Sequence, residues 1–226
     1  MNRRALLAEL FGTFALVFCG TGAIVINEVQ GGAITHVGIA LTFGLIVLAL
    51  IYALGDISGC HLNPAVTTGF WLAGRFPAAQ VGPYLGSQCS GALLASVTLR
   101  LLFPTATTLG ATLPAGPGWQ SFVLELILTL LLMVVILCVS TGAKEKGIMA
   151  GVAVGAVIAL EAMFAGPVCG ASMNPARSLA PAVVSGRVAE LWIYLVAPVA
   201  GAALGVALFQ QLAPPVDPRG ANSDRG

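Results

Sequence analysis

Ser58-Gly59-Cys60-His61-Leu62-Asn63-Pro64-Ala65-Val66 and Cys169-Gly170-Ala171-Ser172-Met173-Asn174-Pro175-Ala176-Arg177 are two versions of one stretch, 111 residues apart. Asn is a strong N-cap residue, and Pro is favoured at the first helical position. Asn63-Pro64 and Asn174-Pro175 therefore each predict the start of a helix. The apolar stretches that follow, about 64–73 and 175–184, are half of the roughly 20 residues that a bilayer-crossing helix needs. They read as re-entrant half-helices.

Moving outward, the duplication extends to both ends of the chain. Glu9-Leu10 opens the first half as Glu125-Leu126 opens the second. Tyr84-Leu85 matches Tyr194-Leu195 and Gly91-Ala92 matches Gly201-Ala202, each at an offset of 110. Six apolar runs are long enough to cross a bilayer, about 6–27, 34–54, 80–102, 119–141, 147–165 and 189–212. Each half is span, span, short apolar stretch, span. Three crossings is an odd number, so the second half (about 119–212) enters from the face opposite to the first (about 5–102). Such inverted repeats place their site at the midplane, on discontinuous helices. The fold class expected is an all-α membrane protein, six spans plus two half-helices, with residues 1–212 as one channel domain and 213–226 as a polar, disordered cytoplasmic tail.

Composition agrees with a membrane bundle. Of 226 residues, 58% are hydrophobic and only 8% charged, and the mean hydropathy is +0.95. Soluble domains carry about 25% charge, and disorder needs low hydrophobicity. Ten basic against nine acidic residues give nucleic acid no footing. Five cysteines with no CxxC pair predict neither disulfides nor a zinc site. With two histidines, no nucleophile–base set and no phosphate loop, the chain reads as neither an enzyme nor a cofactor or metal binder. A coupled transporter would need acids at the midplane, where Glu161 stands alone.

The apolar run from Ala5 to Ile26 is too long for a signal peptide and contains Glu9, so it reads as a retained first span. Arg3, Arg4, Arg75, Lys144, Lys146, Arg219 and Arg225 fall on one side of the six spans. The loops near 28–33 and 103–118 carry no Lys or Arg, which puts both termini in the cytoplasm. Gly147, Gly151 and Gly155, with Gly201 and Gly205, form small-residue ridges that let helix backbones approach.

The chemistry expected at the centre follows from the two half-helices. Each N-terminus carries about half a positive charge, so two facing ends repel cations. The amides of Asn63 and Asn174 can donate to a passing neutral oxygen. The loops Ser58–Leu62 and Gly166–Met173 are expected to be non-helical, with Gly59, Cys60, His61, Cys169 and Gly170 lining the pore and their carbonyls forming an acceptor ladder. An Arg at this depth is costly, which favours a pore-facing Arg177 over a purely structural one.

Ala8-Glu9-Leu10-Phe11-Gly12-Thr13, the segment from Ser58 to Thr67 and Met173-Asn174-Pro175-Ala176-Arg177-Ser178 together resemble the aquaporin (major intrinsic protein) family over about residues 3–212. The resemblance implies a right-handed six-helix bundle with one pore per chain, a homotetramer in the lipid bilayer, and passage of water or small neutral solutes. Its Asn-Pro-Ala motifs fall on Asn63, Pro64, Ala65 and on Asn174, Pro175, Ala176. The segment Phe164–Leu179 is similar to the nodulin-26-like branch, whose members often pass glycerol, boric acid or arsenous acid.

The resemblance also implies a selectivity ring at Phe43, Ala162, Ala171 and Arg177. Water-selective relatives typically have His at the position of Ala162, so a wider ring is expected here; a strictly water-selective pore is the alternative. Glu9 and Glu125 are expected to be buried acids accepting hydrogen bonds from the re-entrant loops. Glu161 is either a buried loop support or a polar group near the wide mouth. His61 either lines the pore or packs beside it. His36 reads as a solvated residue or a pH gate, and Asp56 as a solvated loop acid. Cys60 is expected near the pore wall.

Overall fold

The computed structural model describes residues 2–141 and 148–212. The expectations for the tail, for Lys144 and Lys146 and for Gly147 lie outside the described residues. The described chain is helical throughout, without strands: α1 (Arg3–Val29), α2 (Thr35–Ser58), α3 (Pro64–Leu72), α4 (Ala78–Leu102), α5 (Gly118–Val139), α6 (Ala150–Cys169), α7 (Pro175–Ser185) and α8 (Leu191–Leu212). Six are long and two, α3 and α7, are short.

Five of the long helices are apolar enough to cross a membrane by hydropathy. The sixth, α4, has the length, 25 residues, but carries Gln88, Tyr84 and Ser96. These polar groups are buried inside the bundle. Hydropathy averaged along the sequence misses a span that buries polar groups such as these inside the bundle.

The helices pair in a two-fold pattern. α1 packs on α4, α5 on α8, and α2 on α6, while α3 lies against α8 and α7 against α4. Glycine makes the closest approaches possible. A Cβ on Gly44 would collide with the Gly155 carbonyl, and one on Gly155 with the Gly44 carbonyl. Those residues are 111 apart, so the pseudo-two-fold axis passes between α2 and α6.

The helices before the re-entrant loops run further than expected. α2 ends at Ser58 and α6 at Cys169, each stopped by a left-handed glycine, Gly59 (φ 80°) and Gly170 (φ 86°). The expected non-helical stretch from Gly166 therefore begins only at Gly170, and the second acceptor ladder is shorter by the four residues Gly166–Cys169. Pro167 sits inside α6 and has no N–H to offer the Met163 carbonyl. His36 supplies the missing donor, with Nε2 at 2.7 Å from that oxygen. His36 is exposed, as expected of a solvated residue, and its ring also tethers α2 to α6 and packs over Gly166, where a Cβ would meet it.

Candidate functional site

Asn63 and Asn174 have extended backbones (φ −156° and −147°) and cap α3 and α7 through their side-chain oxygens. Asn63 Oδ1 accepts from Ala65 N at 2.9 Å. Asn174 Oδ1 accepts from Ala176 N and Arg177 N at 3.0 and 3.3 Å. A cap of this kind contributes about 1 kcal/mol. The amide nitrogens then cross between the loops. Asn63 Nδ2 donates to Met173 O at 2.8 Å, and Asn174 Nδ2 donates to Leu62 O at 2.9 Å. The two half-helix N-termini are thereby locked face to face, and each amide keeps one N–H free.

The loop backbones repeat each other in detail. Gly59, Cys60 and Leu62 have φ of 80°, 50° and 48°; Gly170, Ala171 and Met173 have 86°, 42° and 53°. Left-handed backbone at non-glycine residues is strained and persists only where the surroundings enforce it. Two buried carboxyl groups do so. Glu9 accepts from Ser58 Oγ (2.8 Å), His61 N (2.9 Å), Leu62 N (2.7 Å) and Gln88 Nε2 (2.8 Å). Glu125 accepts from Ser172 N and Met173 N, both at 2.8 Å.

One cavity runs through this region. Both loops wall it with Gly59, Cys60, His61, Asn63, Ala171 and Asn174, and Phe43, Ala162 and Arg177 wall it towards one end. Ser140 and Ala150 wall the other. Ala150 and Ala162 are twelve residues apart on α6, about 18 Å at the helical rise. Opposite the loops the wall is apolar, built by Leu16, Val47, Leu132 and Val154.

Arg177 is only 3% exposed. Its Nη1 donates to Gly110 O at 2.7 Å, and its guanidinium lies 5.0 Å from the Phe43 ring centroid, within cation–π range. Gly110 belongs to the connection between α4 and α5, which is held by three further ties. Thr112 donates to Ser178 at 2.8 Å, Glu28 accepts from Thr107, and Arg100 donates to Ala106 O. His61 packs against Phe70, Phe76 and Tyr84 with ring centroids 4.6–5.3 Å away. Its Nδ1 stands 3.1 Å from Thr67 Oγ1. It is thus both packed and on the cavity wall.

Two residues expected to line the pore do not. Cys169 is fully buried at the end of α6, its thiol directed to Ala165 O, because the helix continues to it. Gly170 lies outside the cavity wall, against Thr112. Of the two alternatives for Glu161, a place at the wide mouth does not hold, and its burial is as expected of a loop support, though no direct bond to a loop is made. It is 0% exposed and off the cavity wall, and neither of its oxygens bonds to a loop. The sequence reading missed Gln88, whose signal was a polar side chain in the middle of an apolar run. It also missed Gly110, whose backbone carbonyl carries no signal in residue type.

Comparison with known proteins agrees with this geometry. The family model described as major intrinsic protein matches residues 1–209. The chain is 50% identical over 201 residues to "Aquaporin NIP1-1" of Oryza sativa subsp. japonica, covering 88% of this chain and 71% of the relative. It is 49% identical to "Probable aquaporin NIP4-2" of Arabidopsis thaliana, covering 87% and 70%. The X-ray structure of the aquaglyceroporin from Plasmodium falciparum superposes with a TM-score of 0.84 at 25% identity, covering 94% of this chain and 97% of that one. With two Asn-capped half-helices meeting inside a six-helix inverted repeat, the chain belongs to the major intrinsic protein family.

Proposed function

We propose that this chain is a passive membrane channel for water and small neutral hydroxylated solutes, glycerol first among them, with boric and arsenous acids in the same size class. The single observation that carries this is the cavity bounded on one side by Asn63, Asn174 and loop backbone and on the other by aliphatic side chains. A polyol has a hydroxyl edge and a carbon edge, and such a wall suits both. Names among the relatives point the same way, since the superposed neighbour is an aquaglyceroporin.

Ion exclusion rests on three features. Two half-helix N-termini face the centre, each carrying about half a positive charge. The free N–H of each Asn amide orients a passing oxygen, and Arg177 adds a fixed cation at the narrow end. Phe43, Ala162, Ala171 and Arg177 form the selectivity ring in this proposal; the small side chains of Ala162 and Ala171 leave width for a carbon chain. Both termini lie in the cytoplasm, four chains assemble side by side, each with its own pore, and no catalytic step or cofactor is involved.

The test is stopped-flow light scattering on proteoliposomes under water, glycerol and sorbitol gradients. Glycerol entry with sorbitol excluded is the expected result. Fast water flux with no glycerol entry would overturn the wide ring, and absence of both fluxes would overturn the channel.

A further inference from the structure

The two halves share a packing geometry but differ in their hydrogen bonds. α4 lies on α1 as α8 lies on α5. A Cβ on Gly91 would collide with the Leu10 carbonyl, and one on Gly201 with the Leu126 carbonyl. Gln88 and Pro198 each stand three residues before those glycines. The Gln88 amide donates to Glu9 and to Thr67 at 2.8 and 2.9 Å. Pro198 has no side-chain donor for Glu125. Tyr84 donates to Ser58 O at 3.0 Å, whereas the buried hydroxyl of its counterpart Tyr194 makes no such bond to the second loop.

Glu161 stands in this depleted half. Both of its carboxyl oxygens are buried without a protein partner, and the residue is fully buried. Its counterpart in the first half, 111 residues earlier, is the aliphatic Leu50. Glu161 is on α6, which packs on α5, the helix that carries the buried Glu125. A buried carboxyl without a cation or donor is held neutral, which makes it a hydrogen-bond donor as well as an acceptor. Buried polar groups that the protein leaves unpaired are served by internal water.

We infer that Glu161 is a positioning residue for the second re-entrant loop. Through internal water it provides Glu125 with the hydrogen bonding that Gln88 provides to Glu9 in the first half. Glu125 in turn holds the Ser172 and Met173 N–H groups, between Ala171 and Arg177. Glu161 thereby acts on the width of the pore without touching solute, an inference that rests on the channel function proposed above.

The experiment compares the full-length protein with Glu161→Gln, Glu161→Leu and the double variant Glu161→Leu/Pro198→Gln, all in proteoliposomes. Glu161→Gln keeps a donor and an acceptor, and its ratio of glycerol to water permeability stays within about twofold of the parent. Glu161→Leu shifts that ratio by about threefold or more. Pro198→Gln, which restores the amide found in the first half, returns the ratio towards the parent value. Infrared spectroscopy of the parent shows the carbonyl band of a protonated carboxylic acid, and Glu161→Gln removes it. An unchanged band in Glu161→Gln, or an unchanged ratio in a folded Glu161→Leu protein, overturns the inference. A parent that passes neither water nor glycerol overturns the channel function instead, and the infrared comparison then decides the state of Glu161 alone. If Glu161→Leu does not fold, the parent and Glu161→Gln spectra still decide.

Discussion

The two re-entrant loops rest on different sets of protein groups. Glu9 gathers four protein donors from two segments of chain, whereas Glu125 gathers two backbone N–H groups from one. Yet the two loops have the same sequence of left-handed residues and the same Asn caps. Equal backbones can therefore rest on unequal supports. The first loop is braced from inside the bundle, while the second is braced also from the α4–α5 connection, through Gly110 and Thr112. That connection reaches Arg177, and the first loop has no equivalent cation: Val66 occupies the matching position.

The sharpest way to break this comparison is to remove the two acids in turn. Glu9→Ala strands four buried donors, each costing about 1–3 kcal/mol, a sum comparable with the whole 5–15 kcal/mol stability of an ordinary domain. It is expected to abolish folded protein in size-exclusion profiles. Glu125→Ala strands two and is expected to leave a measurable folded fraction; equal loss from both would end the distinction between the supports.

Next in size is the ring beside the second loop. Ala162→His places an imidazole next to Arg177 and Phe43. Glycerol permeability is expected to fall about tenfold or more, equivalent to about 1.4 kcal/mol of added barrier, while water flux persists. Glycerol flux that survives this substitution would remove Ala162 from the ring.

The loops differ also in their cysteines. Cys60 is half-buried on the cavity wall, and Cys169 is fully buried behind it. A bulky thiol reagent is expected to block most of the flux through the parent protein and little of that through Cys60→Ser. A Cys60→Ser protein as sensitive as the parent would place the reactive thiol elsewhere. The smallest effect concerns the outer brace. Thr112→Val removes the hydrogen bond to Ser178, about 1 kcal/mol, and is expected to lower the thermal midpoint slightly while changing the glycerol-to-water ratio more than the stability. A ratio that follows stability alone would separate the connection from selectivity.

Much of this was legible from residue types and spacing. Asn-Pro marks a capped helix start because Asn offers a side-chain acceptor and Pro lacks the N–H that would go unpaired there. The repeat supplied the inverted topology, and Glu9 and Glu125 were legible as buried acids because an acid inside an apolar span must find donors. The end of α6 was not legible. Gly166-Pro167 punctuates helices in most settings, but His36, 127 residues before Met163 in the chain, pairs the Met163 carbonyl that Pro167 leaves open. For the same reason Cys169 was placed on the pore when it is the last residue of a helix.

From the sequence alone came the membrane class, the six spans, the duplication and the two half-helix starts. Each depends on local pattern: apolar length, N-cap chemistry and a repeated spacing. Only the tertiary structure decided which partner each polar group found. It crossed the Asn63 and Asn174 amides onto opposite loops, gave the Arg177 guanidinium a backbone carbonyl and an aromatic face, and left Glu161 without a protein partner. Hydrogen bonds are short and directional, so their pairing depends on where distant segments come to rest, which local pattern does not encode.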